Sequence, residues 1–345
     1  MSDLSVRLCI PDDMYGVGRF LETAPSVSLY HQKDWLEVIE RSFGHRCYYF
    51  RCKREGDVTG VLPLVHIKSM MFGNMLVSMP FVNYGGLCAS DMETGQALVQ
   101  EAVQLAESVG AQHIELRQEE LLKNGMAVLS HKVSMRLALP RDTEELWKSF
   151  PSKLRSQIKV PIKAGMTARV GGAEELDAFY HVFSTNMRDL GTPVLSKEFF
   201  RNFLEIFPDA TRICTVYDKD KPVASGFLAG FRKKLEIPWA SSLRDFNRQS
   251  PNMLLYNTCL EFGCQNGYEV FDFGRSTPGE GTFRFKQQWG AQPQPLYWHY
   301  WKKEGTPLPD ISVRNPKYQL AIAVWQMLPV SLTRIIGPMI VRNIP

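Results

Sequence analysis

One order of predicted elements occurs twice in this chain of 345 residues, at 45–117 and again at 211–273. Each copy has the pattern strand, tight turn, strand, strand, amphipathic helix and strand. The turn aspartate and the glycine after the helix are 53 residues apart in the first copy (Asp57, Gly110) and 47 in the second (Asp220, Gly267). A repeat of order and spacing is typical of duplicated units. The sequence therefore predicts an α/β fold of two tandem modules with the same strand order.

Length and composition agree with this interpretation. A chain this long usually divides into two domains, and we place them at 1–145 and 146–300, followed by a helical tail at 301–345. The net charge of +4 is too small to indicate DNA binding. The scattered cysteines and histidines have no metal-site spacing, so we predict no metal. The first residues lack an apolar export signal, which favours the cytoplasm.

The stretch Val270–Gly290 contains the sharpest candidate site. It begins as a strand, passes through a predicted type II turn at Thr277–Glu280, and resumes with alternating residues at 282–286, which we interpret as a second strand. Lys286 is the main candidate, since Phe285 and Trp289 beside it would shield its charge from water. A lone strand lysine is more often a solvent-facing charge.

A basic segment lies between the two modules. Residues 151–170 contain five basic side chains and no acidic one. The commoner interpretation is a solvated helix face, and the functional one is a contact with a polyanion such as tRNA. Arg155 and Lys159 would share one helix row, and we expect Pro161 to end the helix.

The tail at 320–341 is apolar, with one charge, Arg334. Two prolines and that arginine argue against a spanning helix, so the sequence predicts two short amphipathic helices. The favoured interpretation packs them on the first domain. The alternative places them in a membrane interface, with Arg314, Lys317, Arg334 and Arg342 at the lipid headgroups.

Several motifs resemble the Fem-type aminoacyl/peptidyl transferases. They are FDFGRS at 271–276, GTFRFKQQWGA at 281–291, Tyr84-Gly85-Gly86, and SKLRSQIKVPIKAG at 152–165. Within these transferases the chain resembles the FemAB-related branch associated with exopolysaccharide and PEP-CTERM protein-sorting loci. The resemblance covers most of residues 30–300, and it implies two tandem GNAT-like domains with mixed central sheets.

The resemblance also implies roles for individual residues. In Fem-type enzymes, aminoacyl-tRNA donates an amino acid to an amine of a cell-wall precursor. Lys286 would then lie at the reacting carbonyl and stabilise its oxyanion, while Asp272 and Arg275 would orient the site. The candidate substrate-binding residues are Phe285, Trp289, Thr282, Tyr84, Ser241, Asn252, Arg155 and Lys159.

Two acyl donors stay open, and no bound cofactor is predicted. The acetyl-CoA signature of GNAT domains needs glycines before a helix, and its expected place at 244–252 has none, which disfavours acyl-CoA. The coiled-coil arm of some Fem enzymes is also absent, which weakens the aminoacyl-tRNA assignment.

The sequence thus predicts a cytoplasmic acyltransferase, peripheral at the inner face of the plasma membrane. It would acylate an amine of a small-molecule or lipid-linked glycan precursor of the cell envelope or an exopolysaccharide. Two alternatives are a non-catalytic precursor-binding protein within an assembly complex and a CoA-dependent N-acetyltransferase.

Overall fold

The computed structural model describes residues 4–70, 72–307 and 316–344. The strands are β1 (Leu4–Leu8), β2 (Arg46–Arg54), β3 (Asp57–Ser69), β4 (Gly73–Val77), β5 (Cys88–Ala89), β6 (His113–Gln118), β7 (Ala127–Ala138), β8 (Thr167–Gly171), β9 (Thr211–Asp218), β10 (Lys221–Phe231), β11 (Lys234–Ser242), β12 (Val270–Ser276) and β13 (Gln292–Lys302). The α-helices are α1 (Met14–Thr23), α2 (Lys33–Phe43), α3 (Met92–Ser108), α4 (Thr143–Ser149), α5 (Ser152–Lys163), α6 (Leu176–Leu190), α7 (Lys197–Ile206), α8 (Pro251–Gln265), α9 (Gly281–Gln287), α10 (Pro316–Met327) and α11 (Val330–Val341).

The chain forms two compact units. The first comprises Met1–Lys132, Pro295–Asp310 and Asn343–Pro345, and the second comprises Val133–Gln294 and Ile311–Arg342. The domain boundaries suggested by the sequence, at 145 and 300, stay a prediction.

In the first unit the strand order is β1-β2-β3-β4-β6-β13. The β4–β6 pair is parallel and its neighbours are antiparallel. Helix α3 has a stripe of buried residues, Leu98, Ala102 and Ala106, at helical spacing. These residues belong to one core cluster with Leu62 and Ile114 of the sheet, so the helix covers one sheet face.

In the second unit the strand order is β8-β9-β10-β11-β12-β7. The β11–β12 pair is parallel, and the other pairs are antiparallel. The sheet is buried on both faces, because successive strand residues point to opposite sides. Phe227 of β10 meets the phenylalanines of α6 and α7, whereas the adjacent Leu228 joins the core cluster that includes Leu255 of α8.

The predicted duplication is confirmed by this strand order. The four strands and the helix of each copy occur in the same sequence and pairing, with one parallel pair at the same place. The match extends further, since each sheet has an additional first strand and an additional last strand. Each last strand (β13, β7) comes from the segment that follows the other copy in the chain. The predicted α/β class of two modules with mixed sheets and C-terminal helices is therefore confirmed.

Side-chain caps mark the start of two helices in the second unit. The Ser196 hydroxyl accepts a hydrogen bond from Phe199 N (3.1 Å) and the Asp142 carboxylate accepts one from Glu145 N (2.7 Å), as N-caps do. The expected helix break at Pro161 is wrong, since α5 runs on to Lys163. Pro161 lies so near the helix end that it removes a single helical hydrogen bond.

The prediction of a strand at 282–286 is also wrong. The type II turn is present, with Gly279 at φ 81° and Glu280 N donating to Thr277 O (3.2 Å). The chain then enters α9, and the ring centroid of its Phe285 lies 6.4 Å from that of Trp289, two residues beyond the end of the helix. An alternation of five residues is too short to distinguish a strand from a helix.

The two predicted C-terminal helices are present as α10 and α11, but their packing on the first domain is wrong. Both helices contact α6 of the second unit. Arg334 Nε donates to Ser184 Oγ (2.8 Å), and its guanidinium lies 5.5 Å from the ring centroid of Tyr180, so Arg334 faces the protein. In the described part of the chain no helix is long and apolar enough to cross a membrane.

Candidate active site

The candidate site of the second unit is built around Asp272, at the parallel strand pair. Asp272 is opposite Glu236 of β11 on one side and Arg136 of β7 on the other. Its fully buried carboxylate accepts hydrogen bonds from Ser134 Oγ (2.5 Å), Gly274 N (2.8 Å) and Arg136 Nε (3.0 Å). Burial opposes ionisation, but Arg136 and Lys234 outweigh it and lower the pKa of Asp272.

The strand bends directly after Asp272. Gly274 has φ 75°, a left-handed conformation that favours glycine, and the register with β7 shifts between Asp272 and Arg275. This bulge turns the carbonyl groups of Gly274 and Arg275 toward α9. The Gly274 peptide is therefore held by Asp272 at its N–H and by Lys286 at its carbonyl.

Lys286 is buried, with 8% of its surface exposed. Its Nζ donates to the carbonyl oxygens of Gly274 (3.0 Å) and Arg275 (2.9 Å). An ammonium group has three N–H donors, and the third has no protein acceptor among the described residues. Burial lowers the pKa of Lys286 to about 8, a change that Arg275 reinforces and that Asp272 and Glu236 oppose. The site thus holds a poorly solvated N–H donor beside a strand end.

A second lysine with a lowered pKa belongs to the same group of charges. Burial, followed by the repulsion of Arg136, lowers the pKa of Lys234 to about 8, against the attraction of Asp272 and Glu236. Two buried carboxylates, Asp272 and Glu236, thus lie with two lysines of lowered pKa at one strand pair, an arrangement typical of active sites.

Aromatic rings separate this cluster from water on one side. Tyr256 of α8 stacks on Phe273 (5.4 Å between centroids) and meets Phe285 edge-on (5.1 Å). Two buried polar atoms nearby, Ser276 Oγ and Trp289 Nε1, have no hydrogen-bond partner among the described residues. Such atoms normally find a partner, and a bound ligand would provide one.

The first unit carries a related but different arrangement. Glu115 has the same position in the parallel strand pair of the first unit as Asp272 has in that of the second. It is opposite Val77. Glu115 is 1% exposed and accepts hydrogen bonds from Arg117 Nε (2.7 Å) and Tyr300 OH (3.0 Å). Its two side-chain donors are thus an arginine and a tyrosine.

A cavity of about 270 Å³ lies in the first unit, beside the end of β6 and the start of α3. The loop Tyr84–Gly86 forms part of its wall. A Cβ on Gly86 would stand 2.5 Å from Gln118 Nε2 and 2.8 Å from Arg117 O. The loop therefore approaches β6 closely, and this approach shapes the cavity.

The structure brings together Asp272, Arg275, Lys286, Phe285 and Trp289. The other predicted site residues lie apart from this group. Tyr84 lines the first-unit cavity, Thr282 is exposed on α9, and Asn252 lies in the first turn of α8. Ser241 on β11 accepts a hydrogen bond from Asn186 Nδ2 (3.1 Å), Arg155 is half-buried on α5, and the Lys159 ammonium is exposed 5.8 Å from the centroid of the Trp147 ring. Their roles stay predictions.

Sequence reasoning missed Ser134, Arg136, Lys234, Glu236 and Tyr256. The first two lie on β7, a strand that was not predicted, although residues 133–138 alternate apolar and polar side chains in the usual strand pattern. Lys234 and Glu236 lay on a predicted strand whose neighbours were unknown. In residues 4–70, 72–307 and 316–344 no group of three His, Cys, Asp or Glu side chains is placed to hold a metal ion.

Two protein-family models and several solved structures are similar to this chain. Residues 80–217 match the FemAB family, and residues 150–287 match the acetyltransferase (GNAT) domain. A crystal structure of FemX is similar over 92% of this chain and 100% of its own, with 15% identity and a TM-score of 0.66. A tandem GNAT protein from the clavulanic acid biosynthesis pathway covers 88% of this chain and 99% of its own (14% identity, TM-score 0.59).

A third similar structure is the C-terminal domain of a putative lysylphosphatidylglycerol synthetase from Agrobacterium fabrum. It covers 84% of this chain and 91% of its own, with 14% identity and a TM-score of 0.56. No curated protein matches the chain in sequence. The fold and the family matches define an acyltransferase with two tandem GNAT-like domains. The predicted resemblance to the FemAB family is confirmed by the match over residues 80–217, whereas the branch associated with exopolysaccharide and PEP-CTERM loci stays a prediction.

Proposed function

We propose that this acyltransferase moves an aminoacyl group onto an amine of a cell-envelope or exopolysaccharide precursor, with Lys286 as the oxyanion donor. The observation that carries the proposal is the third N–H of the buried Lys286 ammonium, which has no protein acceptor among the described residues while the other two are fixed on the Gly274 and Arg275 carbonyls. A donor held in this way needs no reorganisation when charge develops on a carbonyl oxygen.

We propose the following reaction from the positions of these groups. The acceptor amine attacks the acyl carbonyl, a C–N bond forms, and the carbonyl oxygen becomes an oxyanion that Lys286 stabilises. When the intermediate collapses, the bond to the leaving oxygen of the donor breaks, and the proton lost by the amine neutralises that oxygen. Asp272 favours the charged form of Lys286, and the exposed Arg275 is placed to orient an anionic part of a substrate.

The loop before α8 favours aminoacyl-tRNA over acyl-CoA as the donor. A GNAT domain binds the CoA pyrophosphate on free N–H groups at this place. In this loop the N–H groups of Phe246, Ser250 and Met253 donate to the carbonyls of Leu243, Asn247 and Ser250. These three N–H groups already have acceptors within the loop, which disfavours a pyrophosphate cradle there, and we assign no step to CoA.

The basic face of α5 supports the same donor. Lys153, Lys159 and Lys163 are exposed, and Arg155 is half-buried on the same helix. An exposed run of cations with no acidic neighbour attracts a phosphate backbone. We assign this face to tRNA contact.

The first-unit cavity is proposed to hold part of the acceptor. A volume of about 270 Å³ suits one sugar or a short peptide end rather than a whole precursor. A lipid-linked glycan precursor fits this assignment, since its remainder would stay outside, and it would place the protein at the inner face of the plasma membrane.

A donor screen with two lysine variants tests the proposal. Charged tRNA, acetyl-CoA and aminoacyl thioesters are each offered with amine-bearing envelope precursors, and acyl transfer is measured by mass spectrometry. Lys286→Ala should lower kcat by about 10²–10³, as loss of one oxyanion donor does, and Lys286→Arg should retain part of the rate. Arg284→Ala, an exposed change two residues away in the same helix, is the matched control.

Equal turnover by wild type and Lys286→Ala would exclude the catalytic role. Tight precursor binding with no transfer from any donor would instead identify a precursor-binding protein.

A further inference from the structure

Helices α10 and α11 each have one face against the protein and one that is apolar and exposed. The inner face is fixed by close contacts. Thr333 and Gly337 are buried, and a Cβ on Gly337 would stand 2.8 Å from Val194 N. Trp325 of α10 is 9% exposed. The orientation of both helices on the second unit is therefore fixed by packing.

The outer face presents large apolar side chains at helical spacing. Their exposed fractions are Leu320 72%, Val324 52% and Met327 85% on α10, and Leu332 38%, Ile335 67% and Met339 66% on α11. Single exposed apolar residues are ordinary, but six on two successive helices form a patch of the kind that marks an interaction site.

Another surface helix of the same unit shows the contrast. Helix α7 buries five of its residues, three of them phenylalanines, and it exposes Glu198, Arg201 and Glu205 to solvent. Its outer face is charged, as a face in contact with water usually is. The outer faces of α10 and α11 have no acidic residue and few polar ones, so water is a poor partner for them.

Charge indicates which partner fits. From residue 311 to the C-terminus the sequence has four basic residues, Arg314, Lys317, Arg334 and Arg342, and no acidic residue. Arg334 contacts Ser184 and Tyr180 of the second unit, and Arg342 is exposed at the end of α11. An apolar face in a segment with basic residues and no acidic residue matches an anionic bilayer surface, because apolar side chains enter the headgroup boundary and no carboxylate repels the lipid phosphates.

We propose that the outer face of α10 and α11 binds an anionic lipid bilayer and lies flat in its interface. Each helix has 12 residues and Pro329 separates them, so the pair is suited to lie on a membrane rather than to cross it. The inference rests on the proposed function in one respect: membrane contact would bring the enzyme to a lipid-linked acceptor.

The experiment is vesicle co-sedimentation of the full chain without donor or acceptor. Wild type should sediment with vesicles containing about one third phosphatidylglycerol, more weakly with pure phosphatidylcholine, and less as salt rises. Ile335→Glu combined with Met339→Glu should reduce the bound fraction about tenfold or more. Both residues are exposed, so the variant should keep its circular dichroism and melting temperature.

Tyr15→Glu is the matched control, since Tyr15 of α1 is 79% exposed, and it should bind vesicles like wild type. No sedimentation of wild type, or equal sedimentation of wild type and the double variant, would overturn the inference. A wild-type dimer in light scattering that the double variant converts to monomer, without vesicle binding, would assign the face to a second copy. Because the assay contains no substrates, its result is independent of whether acyl transfer occurs.

Discussion

The two modules share a strand order but differ in what surrounds the buried acid of their parallel strand pair. In the first, Glu115 faces Val77 on β4 and is satisfied by Arg117 and Tyr300. In the second, Asp272 faces Glu236 on β11, and two lysines with a pKa of about 8 are close enough to feel its charge. Both acids pair with an arginine, Arg117 for Glu115 and Arg136 for Asp272. Asp272 in addition lies near two lysines with lowered pKa values, and a lysine near its pKa is able to exchange a proton. We therefore propose a structural role for Glu115 and a part in the chemistry for Asp272.

The largest expected effect is on the free energy of unfolding. It tests whether each of the two buried acids stabilises the fold. Asp272→Asn and Glu115→Gln should each lower the free energy of unfolding by about 3–5 kcal/mol, because each leaves a buried cation without its charge partner. Urea unfolding of both variants measures this. Glu269→Gln, which alters an exposed ion pair with Lys233 (3.6 Å), is the control and should change little. Wild-type stability for either buried variant would show that the pairs are not equivalent.

The pH dependence of acyl transfer tests the role of the lysines near Asp272. If charged Lys286 is the oxyanion donor, transfer should fall as pH rises through about 8. Lys286→Arg should move this fall above pH ~10, since a guanidinium stays protonated there. Lys234 has a similar pKa, so a fall unchanged in Lys286→Arg would identify Lys234 instead. Glu115→Gln should leave the fall in place.

Stability should respond to pH in the opposite direction. The pKa of Lys286 is about 8 in the folded chain and 10.5 for an ordinary lysine. Between these values the unfolded chain binds more protons, so the contribution of Lys286 to stability increases as pH rises from about 8 to 10.5.

A smaller effect should come from filling the first-unit cavity. Ala89→Leu adds three carbon atoms at its wall, and we expect the KM for the acceptor to rise about tenfold with kcat unchanged, as for loss of uniform binding. Ala89→Ser is the volume control. A fall in kcat with unchanged KM would show that the first module takes part in the chemical step, which would weaken the assignment of chemistry to the second.

The smallest effect concerns the basic helix of the second module. Arg155→Ala and Lys159→Ala should each reduce the dependence of log Kd for tRNA on log salt by about one unit. Lys148→Ala on α4, an exposed lysine paired with Glu144 (2.7 Å), should not. Fluorescence titrations across a salt series measure the slopes, and identical slopes for all four proteins would leave this face as a solvated surface.

The sequence was informative about the repeat because the repeat is local. Turn residues, helix caps and hydrophobic periodicity each depend on a few neighbours, so the strand–helix order and the caps at Ser196 and Asp142 were predictable. The Lys286 site was predictable only in part. Asp272, Arg275 and Lys286 lie within one stretch, and resemblance drew attention to it.

The remaining site residues depend on strand pairing between distant segments. Ser134 and Arg136 reach Asp272 only because β7 pairs with β12, and nothing near them in sequence indicates that partner. The mistaken strand at 282–286 has a similar origin. Alternation over a few residues fits a strand or a short helix, and the choice depends on contacts from elsewhere in the chain, such as the ring of Tyr256 against Phe285 of α9.

The pairing of β7 with β12 has a consequence for how the chain folds during synthesis. Ser134 and Asp272 are 138 residues apart in sequence. The edge of β7 that pairs with β12 therefore stays unpaired while nearly half the length of the chain is synthesised after it. Contacts of such long separation form slowly, because the closure of a large loop precedes any gain from them. A nascent chain that ends before residue 270 would expose an unpaired strand edge at β7, which is a site for aggregation or chaperone binding.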